Sequence, residues 1–212
     1  MMKLINDKQI DPDFKDAIKE FGNICVGRTS VALGKMLGSR VYIEPPTVRA
    51  GDTDILAEIG INKEKIMVGI LMSMEESIEG AMLFIVEKQF VIDAARIMTK
   101  KDIKDLTFME DEESLSAIKD LANIMAASYM KEIGDYIKMR IFLSPMMVGV
   151  DMVGALVSFP LAYLELSRKN VISIGASFAL VDENGHKSED TGHIIVFPDE
   201  ESVTKLAKAL GI

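Results

Sequence analysis

The sequence predicts an α/β chain of the α+β type, duplicated internally into two halves related by a pseudo-two-fold axis. The strands of both halves are expected to join in one antiparallel sheet with two long helices packed on one face. Three observations predict this. A long stretch of helical periodicity is followed by short strand-like runs and a shorter helix. The same succession then restarts about 100 residues later. Finally, residues 16–48 align without gaps on 116–148 with nine of 33 positions identical, where unrelated segments of ordinary composition share about two.

The first half opens on Asp11-Pro12-Asp13, a capping Asp followed by a Pro in the first helical turn. Phe14, Ile18, Phe21, Cys25, Ala32 and Met36 then recur at spacings that sum threes and fours, so an amphipathic helix is expected to run to about Gly38. A short strand at Val41 to Ile43 is stopped by Pro45-Pro46. Strands are expected at Ile55 to Ile59, Lys65 to Met74 and Gly80 to Val86, and a shorter helix at Phe90 to Met98. The charged, aperiodic run Lys100 to Asp111 reads as a connector.

In the second half a helix is expected over Leu115 to Ile137, with Ile118, Leu121, Met125, Tyr129 and Tyr136 in its apolar stripe. Strands follow at Ile141 to Leu143, Met152 to Phe159, Val171 to Leu180 and His193 to Phe197, then a helix at Ser202 to Leu210. Asn184-Gly185 is a hairpin-turn signal. The end of each half also aligns, Gly80 to Met98 on Gly192 to Leu210, at an offset of 112. The extra twelve residues are placed around the Asn184-Gly185 loop. The whole chain, 1–212, then reads as one domain of two repeats, about 12–99 and 112–212.

Composition narrows the function classes. The net charge of −9 disfavours nucleic acid and anionic membrane surfaces, which call for clustered Lys and Arg. The single Cys25 allows no internal disulfide and suits a reducing cytoplasm; its place in the apolar stripe marks it as a core residue rather than a nucleophile. No N-terminal apolar segment reads as a signal peptide, and the longest apolar run, Met152 to Leu166, is broken by Pro160 and Glu165. His186 and His193 are the only histidines and have no ligand-spaced cluster around them, and no phosphate-binding Gly-rich loop is present.

On a wheel of about 100° per residue, Glu20 lies near +40° and Asn23 near −20° of Asp16, opposite the apolar stripe. Gly27, Ser30 and Gly34 continue that polar row with small side chains, a surface on which another protein's backbone could lie close. The second half repeats the row as Ser116, Asp120 and Asn123. Polar residues on the solvent side of a helix are ordinary. Asn in mid-helix is not, because its side chain competes for backbone hydrogen bonds, and here it recurs three residues after a carboxylate in both halves.

The run Asp16-x-x-x-Glu20-x-x-Asn23, then 22 intervening residues, then Pro46, resembles the signature of the CheC/CheX/FliY phosphatases of chemotaxis. The second copy, Ser116-x-x-x-Asp120-x-x-Asn123, is similar with two departures: Asp120 stands where the family has Glu, and Pro145 comes one residue early. Two signatures in a duplicated chain of this length look like the CheC layout. The resemblance implies a CheC-like fold and a hydrolase that removes the phosphoryl group from the aspartate of the response regulator CheY. It implies that Asn23 and Asn123 orient the attacking water while Glu20 and Asp120 pair with the partner's active-site lysine. Asp16 and Ser116 would help dock the partner or only solvate the helix. The chain would need no cofactor of its own, Mg²⁺ being supplied by phosphorylated CheY. CheD is implied as a second partner that enhances activity, in a cytoplasmic protein expected to be a monomer. The alternative is a non-catalytic interaction module that binds CheD or flagellar switch components.

Overall fold

The structure, a computed structural model, describes residues 5–6, 9–44, 47–50, 62–105, 107, 110–163, 172–181 and 185–212. The expected strand at Ile55 to Ile59 and the proline pair Pro45-Pro46 lie outside the described residues, as does the side chain of Cys25. Strands β1 (Ile5–Asn6) and β2 (Gln9–Ile10) form a small antiparallel pair ahead of helix α1 (Pro12–Leu37). Asp11 caps α1, its carboxylate accepting from the N–H groups of Asp13 at 2.9 Å and Phe14 at 3.2 Å. The helix ends at Gly38, whose φ of 59° is the left-handed cap that glycine adopts without strain.

Strands β3 (Arg40–Ile43), β4 (Thr47–Ala50), β5 (Ile66–Glu76) and β6 (Gly80–Val86) follow, then α2 (Lys88–Thr99). The second long helix, α3 (Glu112–Ile137), is capped by Asp111, 100 residues after Asp11. After it come β7 (Ile141–Leu143), β8 (Met147–Met152), α4 (Val153–Tyr163), β9 (Ile172–Val181), β10 (Lys187–Pro198) and α5 (Glu200–Ala209).

Strands β3 to β10 form one antiparallel sheet in the order β3-β9-β10-β6-β5-β7, with β4 also beside β9 and β8 also beside β5. Exchanging β3 with β7, β4 with β8, β5 with β9 and β6 with β10 leaves this order unchanged. The registers repeat as well. At the centre Leu83 faces Ile195, residues 112 apart. Val48 faces Ile174 and Val148 faces Ile70, which sets β9 at 104 from β5. Ile43 against Phe178 and Leu143 against Met74 give 104 again. The offset therefore grows from 100 to 104 between β8 and β9, and from 104 to 112 across the β9–β10 hairpin. This divides the twelve residues assigned above to the Asn184-Gly185 loop: eight belong to the hairpin and four to the segment containing α4.

One face of the sheet carries α1, α2, α3 and α5 over the main core, which includes Phe14, Leu33, Phe84, Phe90, Ile118, Met125, Phe178 and Leu206. On the other face α4 covers a smaller core of Met67, Leu71, Leu83, Ile85, Ile195 and Phe197. The middle strands are thus covered on both sides, and all seven residues of β6 are buried. Gly69 lets α4 approach: a Cβ there would stand 2.5 Å from Leu156 Cδ2.

Three expectations are corrected. The run expected as a strand over Met152 to Phe159 is the helix α4, preceded by the edge strand β8. Val153, Val157, Pro160 and Leu161 are its buried positions, spaced by fours and threes rather than by twos. A short apolar run rich in Val and Phe suits either element until its neighbours are known. Tyr136 is 50% exposed, and Ile133 and Ile137 take its place in the buried stripe of α3. In α1 the buried side chains of the last turns are Thr29, Leu33 and Leu37 rather than Ala32 and Met36, which are half-buried.

Candidate functional site

Both long helices lie on one face of the sheet and pack against each other. An ion pair joins them, Arg28 Nη1 to Glu132 Oε2 at 2.7 Å. Since their apolar sides are committed to the sheet, their polar rows turn outward. Asp16, Glu20 and Asn23 of α1 are exposed, and so are Ser116, Asp120 and Asn123 of α3. On each helix the acidic residue and the asparagine are three apart, about one turn and 4.5 Å along the axis, so their side chains are neighbours.

Among the described residues, no hydrogen bond or ion pair holds Glu20, Asn23, Asp120 or Asn123. Asp16 has a loose contact with Lys19, 3.9 Å from Nζ to Oδ1, and its side chain is 80% exposed. An exposed pair like this is worth little to stability. These carboxylates and amides are therefore placed for something that arrives from outside. Asn offers one acceptor and two donors without charge, and the carboxylate offers a cation partner. Among the described residues, no group of His, Cys, Asp and Glu is placed to hold a metal ion, and no helix is long and apolar enough to cross a membrane.

The small residues of the row divide into two kinds. At Gly34 an added Cβ would stand 3.0 Å from the backbone oxygen of Ser39, and at Gly134 it would stand 2.6 Å from that of Met139. In α3 the same turn is closed by a hydrogen bond from Met139 N–H to Gly134 C=O at 2.9 Å. These two glycines serve the chain reversal after each helix. Gly27 meets nothing within 4 Å, so its smallness leaves open surface beside Asn23. Gly134→Ala is expected to destabilise the protein by about 1–3 kcal/mol. Gly27→Ala is expected to stabilise it by about 0.5–1 kcal/mol. Urea unfolding of the two variants checks both signs.

Two features escaped the sequence reading. His193 is not at the start of its strand but midway along β10, part-buried, with its Nδ1 3.1 Å from Ser177 Oγ. Burial holds its pKa down at about 4, with Glu87 pulling it up and Lys65 pushing it down. The other is an open groove of about 550 Å³ at the end of α1, lined by Ser30, Val31, Gly34, Lys35, Ser39 and Arg40. Its sequence signal was available: no Asp or Glu occurs between Asn23 and Glu44.

A model of the CheC-like family matches residues 15–49, the stretch that holds Asp16, Glu20 and Asn23. The chain is 31% identical over 200 residues to the CheY-P phosphatase CheC of Bacillus subtilis, covering 92% of this chain and 93% of that one. The solved structure of Thermotoga maritima FliY is similar in fold, with a TM-score of 0.70 at 22% identity over 95% of this chain and 98% of that one. The FliM middle domain from H. pylori shares the fold at a TM-score of 0.58 and 8% identity, over 94% and 99% of the two chains.

Proposed function

Because this chain belongs to the CheC-like family, we propose that it hydrolyses the phosphoryl-aspartate of a CheY-type response regulator, with one site on α1 and another on α3. The observation that carries this reading is the repeated pair of an acidic residue and an asparagine, exposed and unengaged among the described residues on each long helix. Hydrolysis needs a water in line with the bond from phosphorus to the aspartyl oxygen. As the water oxygen bonds to phosphorus that bond breaks, leaving free aspartate and inorganic phosphate.

Asn23 accepts a hydrogen bond from the water and donates one to a phosphoryl oxygen, which fixes the line of attack. It adds no negative charge beside the phosphoryl group. Glu20, one turn earlier, pairs with a lysine of the partner and sets the docking register. Asn123 and Asp120 take the same roles on α3. The phosphorylated partner supplies Mg²⁺ for charge neutralisation, and CheD binds the chain as a second partner.

Asp120 reaches one methylene less far than Glu20. A displacement of about 1 Å at a water-positioning group can cost on the order of 10²-fold in rate. The α1 site is therefore the stronger, and Asn23→Ala should remove more activity than Asn123→Ala. Phosphate release from the phosphorylated regulator measures both. Equal losses would end the claim of unequal sites. The shorter Asp120 also favours a second reading confined to the second half, in which α3 docks the partner without catalysis; there Asn123→Ala would leave the rate untouched.

A further inference from the structure

We propose that the groove at the end of α1 is a docking subsite for an acidic segment of the phosphorylated partner, making Lys35 and Arg40 determinants of partner recognition at the α1 site. This rests on the phosphatase reading above. Four observations lead to it. Ser30 and Gly34 lie within about 20° of the Asn23 direction on the helix and about 10–17 Å further along its axis, with Val31 and Lys35 about 80° and 120° round it, so one wall of the groove continues the asparagine's face. A folded partner of ordinary size has a radius of gyration of about 13 Å and, set over Asn23, reaches the groove.

Second, the charge there opposes that of the molecule. Between residues 24 and 43 the chain has Arg28, Lys35 and Arg40 and no acid, within a protein of net charge −9. Third, Lys35 and Arg40 are exposed and, among the described residues, engaged in no ion pair, whereas Arg28 is held by Glu132. Fourth, Val31 on the same rim is 57% exposed, an apolar contact of the kind found at the centre of an interface ringed by charge.

The α3 side differs. Its matching stretch, 124–143, has Lys131, Lys138 and Arg140 offset by Glu132 and Asp135. At the position of Val31 stands Lys131, closed in an ion pair with Asp135 at 2.5 Å. The helix that holds the Glu–Asn pair thus also has the cationic extension.

The test compares steady-state hydrolysis of the phosphorylated regulator by wild type, K35E/R40E and a control, K104E/K208E, with the same charge change elsewhere on the surface. K35E/R40E should raise KM about five- to tenfold with little change in kcat, and the difference should shrink at high salt, as expected of charges that steer association. Its thermal midpoint should match that of the control. An unchanged KM, or an equal rise in the control, overturns the subsite while leaving the phosphatase reading intact. Failure of wild type itself to accelerate hydrolysis overturns both.

Discussion

Gly80→Ala should destabilise the fold by roughly 3 kcal/mol or more, seen as a lower denaturant midpoint. Gly80 begins β6 with φ at 142°, a region that residues with a Cβ rarely enter. A Cβ built there would stand 2.0 Å from the backbone oxygen of Phe197 and 2.9 Å from the Cα of Pro198. Those atoms cannot turn aside as the end of a side chain can, because β10 is paired with β6 from Gly192 to Pro198. Any relief must shift the central strand pair, where the two halves of the sheet meet. A variant as stable as wild type would show that this strand pair yields more readily than its register implies.

The second large effect is a loss of stability in mild acid. His193 has a pKa of about 4, chiefly because burial disfavours its charged form, whereas in the unfolded chain it titrates near the ordinary 6.5. Its folded pKa is depressed, so between about 6.5 and 4 the unfolded state binds the extra proton. Stability is then fully present above about pH 6.5 and falls as pH drops towards 4. Two and a half units correspond to roughly 3 kcal/mol in total, of which about 2 kcal/mol is lost by about pH 5. His193→Gln should flatten the stability profile over this window, measured by urea unfolding at a series of pH values. The Asp111 carboxyl, held down at about 2 by Lys101 and Ser114, titrates below it. A variant that keeps the wild-type slope would assign the acid sensitivity to other groups.

The parts of the fold legible in the sequence were those whose signals are local. Asp11 caps the first long helix as Asp11-Pro12-Asp13 suggests, while Asp111, read as connector, caps the second; β5 and β6 read as apolar runs between turn residues because α2, α3 and α4 cover them from both sides. What failed depended on partners distant in the chain. The segment from Val153 is apolar enough for a strand, and only the space beside Gly69 and Leu71 makes it a helix. Tyr136 fits the stripe by its seven-residue spacing from Tyr129, yet the buried stripe of α3 passes through Ile133 and Ile137. Of the candidate site, the outward position of Glu20, Asn23, Asp120 and Asn123 followed from helical periodicity alone. The groove is legible only as the acid-free stretch 24–43, since Lys35 and Arg40 belong to different elements and line one groove only once the chain turns at Gly38. His193 was passed over because nothing local distinguishes an exposed from a part-buried strand histidine.

In the proposed mechanism the two asparagines position the water that removes the partner's phosphoryl group. The most direct measurement is the decay of a phosphorylated CheY-type regulator alone, with wild type, and with the N23A/N123A double variant at equal concentration, the variant's fold being checked by its unfolding midpoint. Wild type should speed the decay, and the double variant should lose on the order of 10²-fold of that acceleration while still binding the regulator. A double variant that accelerates decay as well as wild type would contradict that mechanism.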